Sequence, residues 1–199
     1  PKTPLEETAR ALEKLVKAGK VHALGVSNFT PAQMDEFRKF APLATIQPPY
    51  NLFERDIEKD VLPYAVKNNL AVLAYGPLCR GLLSGRMTAE RKFEGDDLRG
   101  TDPKFQQPRF SQYLKAVDGL QVIAKKHGKS MLALAIRWVL DQGPTIALWG
   151  ARKPEQISGV DEAFGWKLED ADLKAIDDIL RQDITDPVGP EFMAPPARS

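Results

Sequence analysis

Ser27 and Asn28 set a hydroxyl and a carboxamide side by side where a short apolar run, residues 21–26, stops. Each group both donates and accepts hydrogen bonds, so the pair suits a ligand carboxamide. Gln47 adds a second amide at the end of another run, over 44–47. Tyr75 closes a third run and offers a flat aromatic face on which a heteroaromatic ring can stack. Gly76, Pro77, Leu78, Gly81, Leu82 and Arg86 follow at once. That segment combines glycine-permitted backbone approach, exposed N–H groups and two cations, Arg80 and Arg86, a composition that suits a pyrophosphate. After a fourth run come Gly150, Arg152 and Gln156, where a helix start and a guanidinium suit a phosphate monoester. Carboxamide contacts, a stacking ring, a pyrophosphate loop and a terminal phosphate site thus succeed one another in the order of the parts of NADPH. The plainer reading of Ser27 and Asn28 is a strand-to-helix turn in which one of them caps the helix.

These groups need a frame that brings them to one rim. Residues 4–18 carry Leu5, Ala9, Leu12, Leu15 and Val16 at helical spacing, with Thr3 as cap, Glu6 in the first turn and Gly19 past the end. A buried strand over 21–26 follows, then a helix opened by Thr30-Pro31 and running through Met34, Phe37 and Phe40. The spacing then predicts a strand over 44–47, a helix over 57–69 and a strand over 70–75. Residues 84–109 show no sustained periodicity, and so long a loop is more often functional than accidental. Helices over 110–127 and 130–140, a strand over 145–149, a short helix start in 154–160 and a helix over 169–181 complete the alternation. A proline-rich tail, 185–199, ends it.

Strands separated by helices make a parallel sheet with right-handed crossovers, whose ligands gather at the strand C-termini. The fold class is therefore α/β, built of parallel βα units. A closed βα barrel needs eight strands and about 250 residues, so four strands supply half of one or a small open sheet.

Composition narrows the partners. The 28 basic and 27 acidic residues are well mixed, which gives no field for nucleic acid or an anionic membrane surface. No apolar stretch approaches the roughly 20 residues of a membrane span. One cysteine, Cys79, excludes an internal disulfide, so a reducing, cytoplasmic setting is the default expectation. The chain opens at Pro1 and enters a helix almost at once, which reads as an interior point of a longer protein.

Several stretches together resemble the C-terminal half of an aldo-keto reductase: Gly25-Val26-Ser27-Asn28-Phe29, Gln47-Pro48-Pro49-Tyr50-Asn51, Tyr75-Gly76-Pro77-Leu78, the segment from Gly81 to Arg86, Asp97 to Arg99, Pro103 to Phe105, and Gly150 to Gln156. The resemblance extends from the opening helix to about Arg181. It implies strands five to eight of a TIM (β/α)8 barrel and an NADPH-dependent reductase of aldehydes or ketones. It also implies roles: Ser27, Asn28 and Gln47 on the nicotinamide carboxamide, Tyr75 on the ring, Gly76, Leu78, Gly81, Leu82 and Arg86 along the pyrophosphate, and Arg152 and Gln156 at the adenosine end. Arg152 would meet the 2′-phosphate. Where many relatives carry a Glu-Asn pair on the adenine side, this chain has Gly159 and Val160. The family's catalytic Asp, Tyr, Lys and His belong to the first four strands; none of Tyr50, Tyr64, Tyr75 and Tyr113 matches that tyrosine, so no catalytic residue is assigned. The isolated chain is expected to be inactive, the carbonyl substrate being a partner of the full-length protein.

The remaining chemistry-bearing residues read as structural. His22 and His127 have no partner motif, Cys79 reads as a plain thiol, and Trp138, Trp149 and Trp166 read as core or subunit contacts. Asp96, Asp97 and Asp102 read as loop charge with no metal, and Lys125 and Lys126 as a solvated helix face. Two other functions stay open beside the reductase half: a regulatory module that keeps the nicotinamide pocket without turnover, and a structural half-barrel. The exposed edges of a half-barrel call for cover by the missing N-terminal half or by a second half-barrel.

Overall fold

Four short parallel strands carry the candidate site residues at or just beyond their C-terminal ends. The computed structural model describes residues 3–151 and 153–192. The strands are β1 (Gly25–Ser27), β2 (Thr45–Gln47), β3 (Ala71–Tyr75) and β4 (Thr145–Leu148). They form one sheet in the order β1-β2-β3-β4, every pair parallel. Among the described residues β1 and β4 are therefore its edges.

The register sorts side chains by face. Val26 pairs Ile46, Ile46 pairs Val72 and Val72 pairs Thr145. Along this row Ile46, Val72 and Thr145 are buried and Val26 is partly so. Because side chains alternate with period two, Ser27, Gln47, Leu73, Tyr75, Ile146 and Leu148 point the other way. None of these is buried, and Ile146 is 48% exposed. The helices thus cover one face of the sheet and leave the other largely open.

The helices are α1 (Leu5–Lys17), α2 (Pro31–Arg38), α3 (Val61–Lys67), α4 (Arg109–Lys126), α5 (Met131–Leu140) and α6 (Asp170–Asp183). Thr30 caps α2 through a reciprocal box with Gln33, and Pro31 takes the first turn, where its missing N–H is not needed. Ser130 caps α5 by accepting from the Ala133 N–H at 3.2 Å. The expected cap Thr3 does not serve α1; Pro4 is its N-cap and makes no side-chain bond.

Two expected elements change at identifiable residues. The strand read over 21–26 contracts to Gly25–Ser27, since His22 and Ala23 are exposed and the ladder begins only where Gly25 meets Thr45. Gly25 is required there: a Cβ would lie 2.1 Å from Thr45 Oγ1. The helix read over 57–69 divides into a 3-10 turn, Asp56–Lys59, and α3. Pro63 explains the break, because in a continuous helix its ring would clash with the carbonyl of Lys59. Asp60 restarts the helix by accepting from the Val61 N–H at 2.6 Å.

Most of the core lies between the sheet and α4, α5 and α6, where Leu120, Leu134, Val139 and Ile176 are fully buried. A second cluster under α1 and α2 joins Ala9, Leu24, Phe37 and Ala41. The tail packs as well: Val188 is buried and donates its N–H to Tyr113 Oη at 3.0 Å.

Candidate functional site

At the rim, β1 and β2 place Ser27 opposite Gln47. Ser27 Oγ donates to the Gln47 carbonyl at 2.8 Å, and the Asn28 N–H donates to the same oxygen at 3.1 Å. Asn28 takes a left-handed φ of 58°, which turns the chain off the strand end. Neither residue caps α2; that task falls to Thr30, so the plainer reading of the pair does not describe the structure. Tyr75 reaches across the sheet and donates its hydroxyl to Asn28 Oδ1 at 3.1 Å. Because Asn28 Oδ1 is an acceptor there, its Nδ2 remains the donor for a ligand carbonyl, while Ser27 Oγ keeps lone pairs for a ligand N–H. Ser27, Asn28, Gln47 and Tyr75 are thus brought together at one rim of the sheet.

The chain after β3 kinks sharply. Cys79 and Arg80 have φ of 45° and 51°, and Gly81 and Gly85 also have positive φ. Two adjacent non-glycine residues in this region cost about 1–2 kcal/mol each, so their surroundings must hold them. Gly85 is fixed by contact too, since a Cβ there would sit 2.9 Å from Met131 Cβ. The kink forms one wall of a cleft of about 730 Å³ that brings together Tyr75, Gly76, Leu78, Gly81, Arg86, Gly150 and Gln156. Arg80, Arg91 and Arg99 also reach it, so four guanidinium groups face one space. Arg99 pairs with Asp97, holding that carboxyl down at about 2, whereas Arg86 forms no ion pair among the described residues. Gln47 joins Tyr75 and Gly150 around an adjoining cavity.

The structure does not bring every expected residue to the cleft. Leu82 is fully buried in the main core and Pro77 is buried as well; both support the loop from beneath. Arg152 lies outside the described residues. The short helix starts beyond β4 are two 3-10 turns, Pro154–Gln156 and Val160–Ala163, too short to act as helix dipoles.

Under the kink lies a polar network that the sequence did not announce. Asp102, Lys104 and Glu54 are all buried, although Asp102 reads from the sequence as loop charge. Lys104 Nζ stands 2.8 Å from Glu54 Oε1 and 3.3 Å from Asp102 Oδ1, and Arg80 binds Asp102 Oδ2 at 3.0 Å. Asn51 Nδ2 donates to Glu54 Oε2 at 2.6 Å and to the Gly76 carbonyl at 3.0 Å. Burial pushes the Glu54 carboxyl up against the pull of Lys104 and Asn51; burial works against the Lys104 ammonium, yet the acids around it hold its pKa above the usual lysine value. The signal in the sequence was thin: a lysine between Pro103 and Phe105 in a segment without period.

The other titratable groups take structural posts. Tyr50 bonds Glu58, Tyr64 bonds Asp35, and Tyr113 accepts from Val188. Burial raises the pKa of all four tyrosines, Tyr75 included, which is opposite to the activation a phenolic proton donor needs. Burial likewise pushes the Cys79 thiol well up, so Arg80 does not turn it into a thiolate. His127 lies 2.8 Å from Asp172 and against Trp166, joining α4 to α6, and Lys126 pairs with the same carboxylate. Among the described residues no three of His, Cys, Asp and Glu are grouped to hold a metal ion, and no helix is long and apolar enough to cross a membrane.

The model of the aldo/keto reductase family matches residues 1–181. The chain belongs to the aldo/keto reductase family. Aldo-keto reductase YhdN of Bacillus subtilis is 60% identical over 200 residues, covering 100% of this chain and 60% of that protein. The NADH-specific methylglyoxal reductase of Escherichia coli is 30% identical, covering 85% of this chain and 52% of that protein. Among solved structures, the glycerol dehydrogenase AKR11B4 from Gluconobacter oxydans superposes with a TM-score of 0.90 at 63% identity, covering 97% of this chain and 59% of that one. This aldo-keto reductase chain thus spans little more than half the length of the relatives it matches, with an α/β fold of parallel strands like theirs.

Proposed function

We propose that the chain is the cofactor-holding C-terminal half of a barrel oxidoreductase that reduces aldehydes or ketones with NADPH. The observation that carries this reading is the cleft itself, which brings Tyr75, the left-handed loop at Gly81, Arg86, Gly150 and Gln156 around one space. Bound NADPH supplies the hydride. Asn28 Nδ2 and Ser27 Oγ would hold its carboxamide, and Tyr75 would supply an aromatic surface for the nicotinamide. Gly81 would allow the backbone close to the pyrophosphate, and Arg86, which forms no ion pair among the described residues, would offer it a cation. Asp102 and Lys104 keep this wall in place without touching the ligand.

No tyrosine of this chain is poised as proton donor, so carbonyl reduction draws its donor from residues beyond these 199. The expected result is that the purified chain quenches or enhances NADPH fluorescence on titration yet oxidises no NADPH with aldehydes or ketones. Turnover above contaminant level would overturn the division of labour; absence of any NADPH or NADH binding would overturn the cofactor reading. The names of the relatives include both an NADH-specific reductase and an NADP(+) one, so the preference for the extra phosphate rests on Arg152 and needs both titrations. The exposed Ile146 and the two open edges of the sheet favour, in addition, a covering partner: further chain, or a second copy of this one. Sedimentation of the isolated chain as a stable monomer would count against the second copy.

A further inference from the structure

We propose that Asp102 is a positioning residue for the dinucleotide cleft, acting through Arg80; the inference rests on the cofactor reading above. The buried chain of contacts runs from the Gly76 carbonyl through Asn51, Glu54, Lys104 and Asp102 to Arg80. It begins and ends on the loop that lines the cleft, so it closes a circuit beneath the left-handed turn at Cys79 and Arg80. Asp102 is the link between that loop and the 84–109 segment. One oxygen takes the Lys104 N–H at 3.0 Å and lies near its ammonium, and the other holds the Arg80 guanidinium. Arg80 also donates to the Phe192 carbonyl, which fastens the C-terminal segment to the same wall. With Asp102 fully buried and its partners committed, the left-handed turn has one place to rest.

The sign of the effect separates positioning from charge. Asp102 is an anion behind a wall that faces an anionic ligand, so a through-space effect alone would make Asp102→Asn bind NADPH more tightly. Positioning requires the opposite. We expect Asp102→Asn to weaken NADPH about tenfold, equivalent to about 1.4 kcal/mol. Arg80→Gln should do about the same, and the double variant should be no worse than the worse single one, because both break one link. Amide hydrogen exchange without ligand should quicken across 76–86 in Asp102→Asn while 131–140 stays protected, which a general loss of stability would not produce. Equal or tighter NADPH binding by a folded Asp102→Asn, multiplied losses in the double variant, or unchanged exchange across 76–86 each overturns the inference. Should Asp102→Asn fail to fold, the partly exposed Arg80→Gln variant carries the same exchange and binding readouts, and normal values there overturn it. Failure of the wild-type protein to bind either dinucleotide removes the cofactor reading and this inference with it, a result distinct from a defect confined to the variants.

Discussion

Replacing Lys104 by methionine isolates the buried ion-pair cluster of Lys104, Glu54 and Asp102. Methionine keeps most of the stem's bulk, so the change removes a charge rather than opening a void. The ammonium lies 2.8 Å from Glu54 Oε1 and 3.3 Å from Asp102 Oδ1, with all three side chains shielded from solvent. Asp102 retains Arg80, but Glu54 is left with Asn51 alone. Removing one partner of a buried pair costs about 3–5 kcal/mol, a large share of the roughly 5–15 kcal/mol that holds a domain together. With a urea slope of about 2 kcal/mol per molar, the midpoint followed by tryptophan fluorescence should fall by about 1.5–2.5 M at pH 8. The deficit should then shrink as pH falls toward 5. Glu54 is already pushed above its ordinary 4.5 by burial, and without Lys104 it rises further. A carboxyl raised in the folded state binds its proton there before the unfolded chain does, so stability falls as pH rises through that window and recovers below it. Glu54→Gln added to Lys104→Met removes the stranded charge and should restore at least half the loss. A loss under about 1 kcal/mol at pH 8, or one equal at pH 5 and pH 8, would refute the reasoning.

Three further outcomes are expected. Gly25→Ala should cost about 1–3 kcal/mol in urea unfolding, because the new Cβ meets Thr45 Oγ1, and Thr45→Ala in the same chain should relieve most of it. Ser130→Ala should cost about 1 kcal/mol, read as a lowered unfolding midpoint, through loss of the α5 cap. Arg152→Ala should weaken NADPH about tenfold and NADH less than about twofold by fluorescence titration, since one tenfold step matches one charge-assisted contact; equal losses would remove Arg152 from the phosphate role.

Much of the frame is legible from local signals. Thr30-Pro31 and Ser130 fix helix starts because capping is decided within four residues, and the apolar run ending at Tyr75 fixes β3. Local signals mislead where the deciding partner is remote. Residues 21–24 are apolar enough for a strand, but the ladder waits for Thr45, twenty residues beyond Gly25. Leu82 sits in a glycine-rich loop and reads as cleft-lining, yet it is pinned in the core by the kink at Arg80. Asp102 looks like loop charge because its burial depends on Lys104 and, through it, on Glu54, which lies far outside any window around it. Pro63 is a local signal that breaks the helix despite the apolar periodicity of 57–69.

The two faces of the sheet interleave two kinds of constraint along a single thread. Val26, Ile46, Val72 and Ala74 answer to the helices, while their immediate neighbours Ser27, Gln47 and Tyr75 answer to whatever occupies the rim. Adjacent codons are thereby uncoupled. A change of chemistry at the rim leaves the packing row untouched, and a change in the packing row leaves the rim groups in kind if not in rigidity. A strand built this way can be retuned toward a different ligand one alternate residue at a time without being refolded.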